Sequence, residues 1–197
     1  MYLFDLFNLF VNSNMKPDKW GPFIWYLIHI ITYHIPDDDF FLKNKINYLN
    51  FFKALNSIIP CPICRSHFNK ILKTTTLNKC NSKEDIINWT IKIHNLVNQR
   101  LKKKLINKNT SDELYKDINI QKIFQGIDIL TYNYQQKMPL KQYIIMFTSF
   151  KTIFPNEQFK EYYNNSLKKY KINFRNHNEM IIWYKNIGKH INKQFNK

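Results

Sequence analysis

Apolar residues recur three and four positions apart through most of the chain, the spacing that lines one face of an α-helix. Phe23, Ile24, Leu27, Ile28 and Ile31 form the first such stripe, which follows Gly21-Pro22 and runs toward Pro36. Asp37, Asp38 and Asp39 supply a turn and an acidic helix start, favourable at the positive end of the helix dipole. A second stripe runs from Phe41 to Ile59 and stops at Pro60. The segment CPICRSHFNKIL predicts a third helix, with Pro62 in the first turn, where a missing N–H costs nothing. After a Thr/Asn-rich loop, Ser82 with Asp85 three residues on resembles a capping box. It opens a fourth helix through Ile86, Trp89, Ile93, Val97 and Leu101. No segment sustains period-two alternation, so the predicted class is all-α. Residues 1–15 read as an apolar helix or arm packed on the body. Asp5, and the lack of a basic start or a small-residue cleavage site, argue against a signal peptide there.

Composition bounds this picture. A chain of 197 residues suits one ample domain or two small ones. With 44% hydrophobic and 16% aromatic residues it supports a packed core, which excludes disordered and collagen-like classes. No apolar run reaches the roughly 18 residues of a membrane span. The expectation is therefore a soluble intracellular protein with no membrane partner. A formal charge of +16 would suit nucleic acid. Yet of 30 basic residues only Arg65, Arg100 and Arg175 are arginine, the better reader of phosphates and guanine edges. The lysine surplus, beside abundant Asn, Ile, Phe and Tyr, is the mark of AT-rich coding, so nucleic acid is not the expected partner.

The sharpest chemical signal is Cys61-Pro-Ile-Cys64 at a predicted helix N-terminus. Unpaired N–H groups and the dipole there stabilise a thiolate. A disulfide closing so small a loop opens and reforms readily. Two alternatives stand beside the redox reading: buried structural thiols, and a zinc site built from Cys61, Cys64, Cys80 and His67. A lone C-x-x-C does not separate redox from metal, although zinc sites usually present two ligand pairs. Two further pairs share helical faces four residues apart, Trp25 with His29 and His94 with Asn98.

Taken together, WGPFIWYLIH at 20–29, FFKALNSIIPCPICRSHF at 51–68 and W-x4-HNLVN at 89–98 resemble the FAD-dependent sulfhydryl oxidases of the Erv/ALR type, the viral members above all. The likeness covers roughly residues 16–104. It implies a four-helix bundle cradling FAD, with Trp25, His29 and Tyr33 near the flavin, His94, Asn95 and Asn98 around the adenosine, and Lys103 at the phosphates. It implies no metal. Cys64 would be the flavin-proximal sulfur and Cys61 the one that exchanges with protein dithiol substrates. Electrons would pass through the flavin to oxygen, giving hydrogen peroxide. The compartment implied is host cytoplasm or nucleus, with the virion as an alternative. Where the family carries a Gly-Lys-Pro turn after the Asn98 position, this chain has Lys102-Lys103-Lys104. It also lacks a second C-x-x-C and any cysteine beyond Cys80.

Residues 105–197 lie outside these motifs but echo them. Tyr48, Phe52, Leu55, Ile58 and Pro60 match Tyr143, Phe147, Phe150, Ile153 and Pro155. Ile31-Thr32-Tyr33 matches Leu130-Thr131-Tyr132, and Trp89 and Asn98 match Trp183 and Asn192. The chemistry is lost, with Asn156 and Phe159 at the cysteine positions, Asp128 for His29 and Gly188 for His94. We therefore expect a degenerate second helical bundle that stands in for a dimer partner, similar to the large sulfhydryl oxidases of insect DNA viruses. A homodimer on top of that pseudo-dimer is compatible with the pattern.

Overall fold

The computed structural model describes residues 16–133 and 138–195. The expected arm at 1–15 lies outside the described residues. Among them are nine α-helices and a short 3-10 turn, with no strand. They are α1 (Pro17–Tyr33), α2 (Asp38–Ile58), α3 (Pro62–Thr74), the turn Leu77–Lys79, α4 (Lys83–Arg100), α5 (Lys108–Tyr115), α6 (Ile120–Tyr132), α7 (Leu140–Ile153), α8 (Glu157–Lys169) and α9 (His177–Phe195). No described helix is long and apolar enough to cross a membrane.

Local chemistry explains most of the boundaries. Asp37 caps α2 by accepting the Phe40 N–H, and the Ser82/Asp85 capping box forms as expected. Cys61 is itself the N-cap of α3, and Pro62 opens the helix. Helix α1 departs from expectation by beginning at Pro17, well before Gly21-Pro22. Pro22 removes one backbone donor from the helix interior, but its ring is exposed on the first turns, and Trp20, Gly21 and Ile24 are buried beside it.

The most extensive helix contacts are α2 on α7, α1 on α6 and α1 on α4. Gly126 of α6 sets the α1/α6 approach, since a Cβ there would stand 2.8 Å from the Phe23 carbonyl oxygen. Phe51 of α2 and Phe150 of α7, both fully buried, bring their rings to 5.7 Å, so one core runs through the whole chain.

Several details occur twice. Trp89 Nε1 donates to the carbonyl of Thr75, the residue that closes α3 (2.7 Å), and Trp183 Nε1 to that of Tyr170, which closes α8 (3.1 Å). Each indole meets a phenylalanine at 4.7 Å, Trp89 with Phe52 and Trp183 with Phe147. Helices α3 and α8 both have 13 residues, with N-caps at φ −118° (Cys61) and −116° (Asn156).

Candidate active site

Helices α1, α3 and α4 converge on a cavity of about 530 Å³, reached also by the end of α5. Its wall includes Trp25, Cys61, Cys64, His94, Asn98 and Lys103. Cys61 and Cys64 are joined as a disulfide, with their Cα atoms 5.1 Å apart. The pair sits at the N-terminus of α3, and Cys61 Sγ accepts the Cys64 N–H at 3.2 Å. That hydrogen bond and the helix dipole both favour sulfur in the anionic form once the disulfide opens. Arg65, the next residue, donates from its guanidinium to the Ile59 carbonyl at 2.6 Å, which ties down the backbone leading into Cys61.

Across the cavity two aromatic stacks meet. Trp25 lies flat on His94, with centroids 3.9 Å apart and planes within 3°. His29 lies flat on Tyr115 of α5, 4.2 Å apart and within 6°. His29 Nε2 and His94 Nδ1 are 2.9 Å apart, so one ring donates and the other accepts, which requires the accepting ring to be neutral. Burial, reinforced by His94, holds His29 well below the ordinary histidine value. Burial and the nearby Lys103 bring His94 down to about 4. The second nitrogen of His29, Nδ1, is buried with no hydrogen-bond partner.

The remaining expected residues sit one layer back. His29 is fully buried behind the wall. Tyr33 donates to Asp112 Oδ1 at 3.0 Å, an oxygen that Lys108 also bonds at 2.6 Å, and it lines no part of the cavity. Asn95 pins the incoming chain, donating to the Ile106 carbonyl (2.7 Å) and accepting its N–H (2.9 Å). Asn98 donates to the Lys104 carbonyl at 3.1 Å. The turn after α4 is a Schellman closure, in which the Lys102 N–H reaches Gln99 and the Lys103 N–H reaches Asn98. Lys102 therefore holds φ 54°, the conformation that favours glycine.

Trp20, Arg100 and Tyr115 join the wall without having been expected there. Trp20 belongs to the WGPFIW motif and could have been read from it. Tyr115 carries no sequence signal, because it lies beyond the motifs on an eight-residue helix. The zinc alternative does not assemble, since among the described residues no three His, Cys, Asp or Glu groups converge. Cys80 is buried outside the wall, and its thiol is pushed up to about 11 by burial.

Comparison with known proteins adds a family to this geometry. The Erv1/Alr family profile matches residues 23–117, a span that includes α5. The chain is 34% identical over 109 residues to an FAD-linked sulfhydryl oxidase of African swine fever virus, covering 55% of this chain and 87% of the viral protein. It is 32% identical over 96 residues to a probable FAD-linked sulfhydryl oxidase of Acanthamoeba polyphaga mimivirus, covering 47% of this chain and 65% of that relative. No solved structure matches significantly.

Proposed function

The chain belongs to the Erv1/Alr family and is a FAD-dependent thiol oxidase, and we propose that Cys61 exchanges with protein dithiols while Cys64 faces the flavin. The observation that carries the oxidase reading is the placement of both sulfurs in the wall of the cavity that Trp25 and His94 also line, and the division of roles between them follows the family resemblance.

The residues present fit FAD. The cavity lies in the range of roughly 300–1,000 Å³ that cofactor sites occupy. Trp25 and His94, stacked on each other, set flat rings in the wall against which a ring system could pack, and behind them His29 Nδ1 is buried with no hydrogen-bond partner. Asn98 brings an amide, and Lys103 a cation for the diphosphate. Tyr33 and Asn95 would act from behind, Tyr33 by anchoring α5 through Asp112 and Asn95 by fixing the chain at Ile106. When bound, FAD supplies a two-electron acceptor, with oxygen as the proposed final acceptor and hydrogen peroxide as the product.

The protein's own chemistry runs as thiol–disulfide exchange. A substrate thiolate attacks Cys61 Sγ, the bond to Cys64 breaks, and Cys64 leaves as a thiolate at the helix N-terminus. The substrate's second thiolate then attacks the substrate sulfur of the mixed disulfide and releases Cys61. The substrate departs with a disulfide, its two thiol protons pass to solvent, and the Cys61 and Cys64 thiolates hold the electron pair.

We assign residues 16–104 to the oxidase unit and 105–197 to a degenerate repeat that stands in for a dimer partner. The twice-occurring Trp–carbonyl and Trp–Phe contacts support this reading. So does the packing of α1 on α6 and α2 on α7, each helix against its own counterpart, as a two-fold interface requires. A homodimer would then use some other face. As the family resemblance implies, the proposed site of action is host cytoplasm or nucleus, with the virion as an alternative. The test is oxygen uptake by the FAD-loaded protein with dithiothreitol. Uptake with matching peroxide, abolished in Cys61→Ser and in Cys64→Ser, is expected. Uptake that survives either change would overturn the role of the Cys61-Cys64 disulfide.

A further inference from the structure

Ile63 stands between the two reactive sulfurs and is 69% exposed, an unusual position for a large aliphatic side chain. Leu101, at the end of α4, borders the same cavity and is 49% exposed. Pro17 and Pro22 on the first turns of α1 complete an exposed apolar rim beside the disulfide. The rim is also cationic. Arg100, Lys102, Lys103 and Lys104 are all exposed on the turn beside it, and no carboxylate lines the cavity. Among the described residues none of these four cations makes an ion pair.

Any cysteine that attacks Cys61 brings its own neighbours over Ile63, because the attack places substrate sulfur in bonding contact with a residue two positions away. We propose that this rim selects the substrate: a protein segment whose reactive cysteine is followed by a large apolar residue and flanked by acidic ones. The apolar neighbour covers Ile63 and removes its surface from water. The acidic flank meets Arg100, Lys102 and Lys104, the cations left to solvent when Lys103 serves the cofactor. This inference rests on the thiol oxidase reading and names the substrate class for that site. Ile63 is a specificity-determining residue here, and the exchange it accompanies is the one given above.

The test uses the full-length, FAD-loaded protein and three reduced dithiol peptides. The first has Leu after its first cysteine and two flanking Glu residues, the second has Ser in place of Leu, and the third has Lys in place of Glu. Dithiothreitol, which has no flanking residues, is the control. We expect kcat/KM for the first peptide to exceed that for the second by about tenfold, the scale set by burying one leucine side chain. Its advantage over the third should be several-fold at low salt and shrink as salt rises. Ile63→Ser should erase the Leu preference and Ile63→Leu retain it, each read as the ratio of kcat/KM for the first two peptides in the same variant, so that a change in the disulfide's own reactivity cancels. Equal use of the peptides by a protein that oxidises dithiothreitol would overturn the inference and leave the oxidase reading standing. So would a Leu preference that survives Ile63→Ser. Failure to oxidise dithiothreitol at all would sink both.

Discussion

His29 and His94 come from helices α1 and α4 and meet ring nitrogen to ring nitrogen at 2.9 Å, each with an aromatic ring stacked on its outer face. Burial disfavours a charge on either ring, and a proton added to each would remove the acceptor and set two cations side by side. Unfolding releases His94 to its ordinary value of 6.5 from about 4. The unfolded chain therefore takes up protons first as pH falls. The stabilisation is complete above 6.5 and is lost as pH falls toward 4, by on the order of 3 kcal/mol from His94. Denaturant midpoints across that window should fall steadily, together with FAD retention. A midpoint unaffected by acid would contradict the neutral pair.

The three cysteines should separate cleanly. Cys61→Ser and Cys64→Ser should each reduce dithiothreitol turnover by at least about a hundredfold, since a lone thiol cannot complete the exchange. Both should keep their FAD, because neither change alters the stacked rings or Lys103. Cys80→Ser should stay within about twofold of the parent rate, because a buried thiol raised toward 11 remains protonated and inert. Turnover assays with absorbance-based flavin counting distinguish the three.

Much of this site is written locally in the sequence. Cys61 could be read as a helix start because Pro62 follows it, and Ser82 because Asp85 follows it. The positions lining one face of a helix could be read from spacing alone, which placed Trp25 beside His29 and His94 beside Asn98. What the chain does not spell out are contacts made across elements. Tyr115 reaches His29 only because α5 folds back over α1 and α4, a return set by loop 101–107 rather than by periodicity. Asn95 lies in the motif, yet its amide is taken up by the Ile106 backbone, a partner no spacing rule predicts. The early start of α1 was hidden by Gly21-Pro22, a pair that normally breaks helices but here lies on the first turns.

Lys102 offers a stability test away from the chemistry. Its φ of 54° costs a side-chain-bearing residue about 1 kcal/mol relative to glycine at the same C′ position. Lys102→Gly should stabilise the protein by somewhat under that amount, since glycine also gains freedom when unfolded. Lys103 and its place in the cavity wall should be undisturbed. Equilibrium unfolding in urea, with FAD content as a second readout, measures both. Destabilisation would show that the Lys102 side chain makes a contribution larger than the strain.

Asp128 carries the opposite pH signature. It is buried, receives the Tyr184 hydroxyl at 2.8 Å on one oxygen and has no partner on the other. Burial raises its carboxyl from 3.8 to about 7. Its contribution is therefore fully present below 3.8 and is lost as pH rises through about 7, on the order of 4 kcal/mol in all. Asp128→Asn should stabilise the protein above neutrality and leave the acid limb to the histidines. Unfolding curves for the variant and parent on both sides of neutrality give the comparison. Equal stabilisation at every pH would contradict a titrating Asp128.

The most direct measurement is the visible absorption spectrum of the purified protein, followed after dithiothreitol is added without air. The expected result is a bound flavin that bleaches on addition, recovers when air is admitted, and stays oxidised over the same interval in Cys64→Ser. A colourless protein that cannot be loaded with FAD, or a flavin that bleaches equally fast without Cys64, would contradict it.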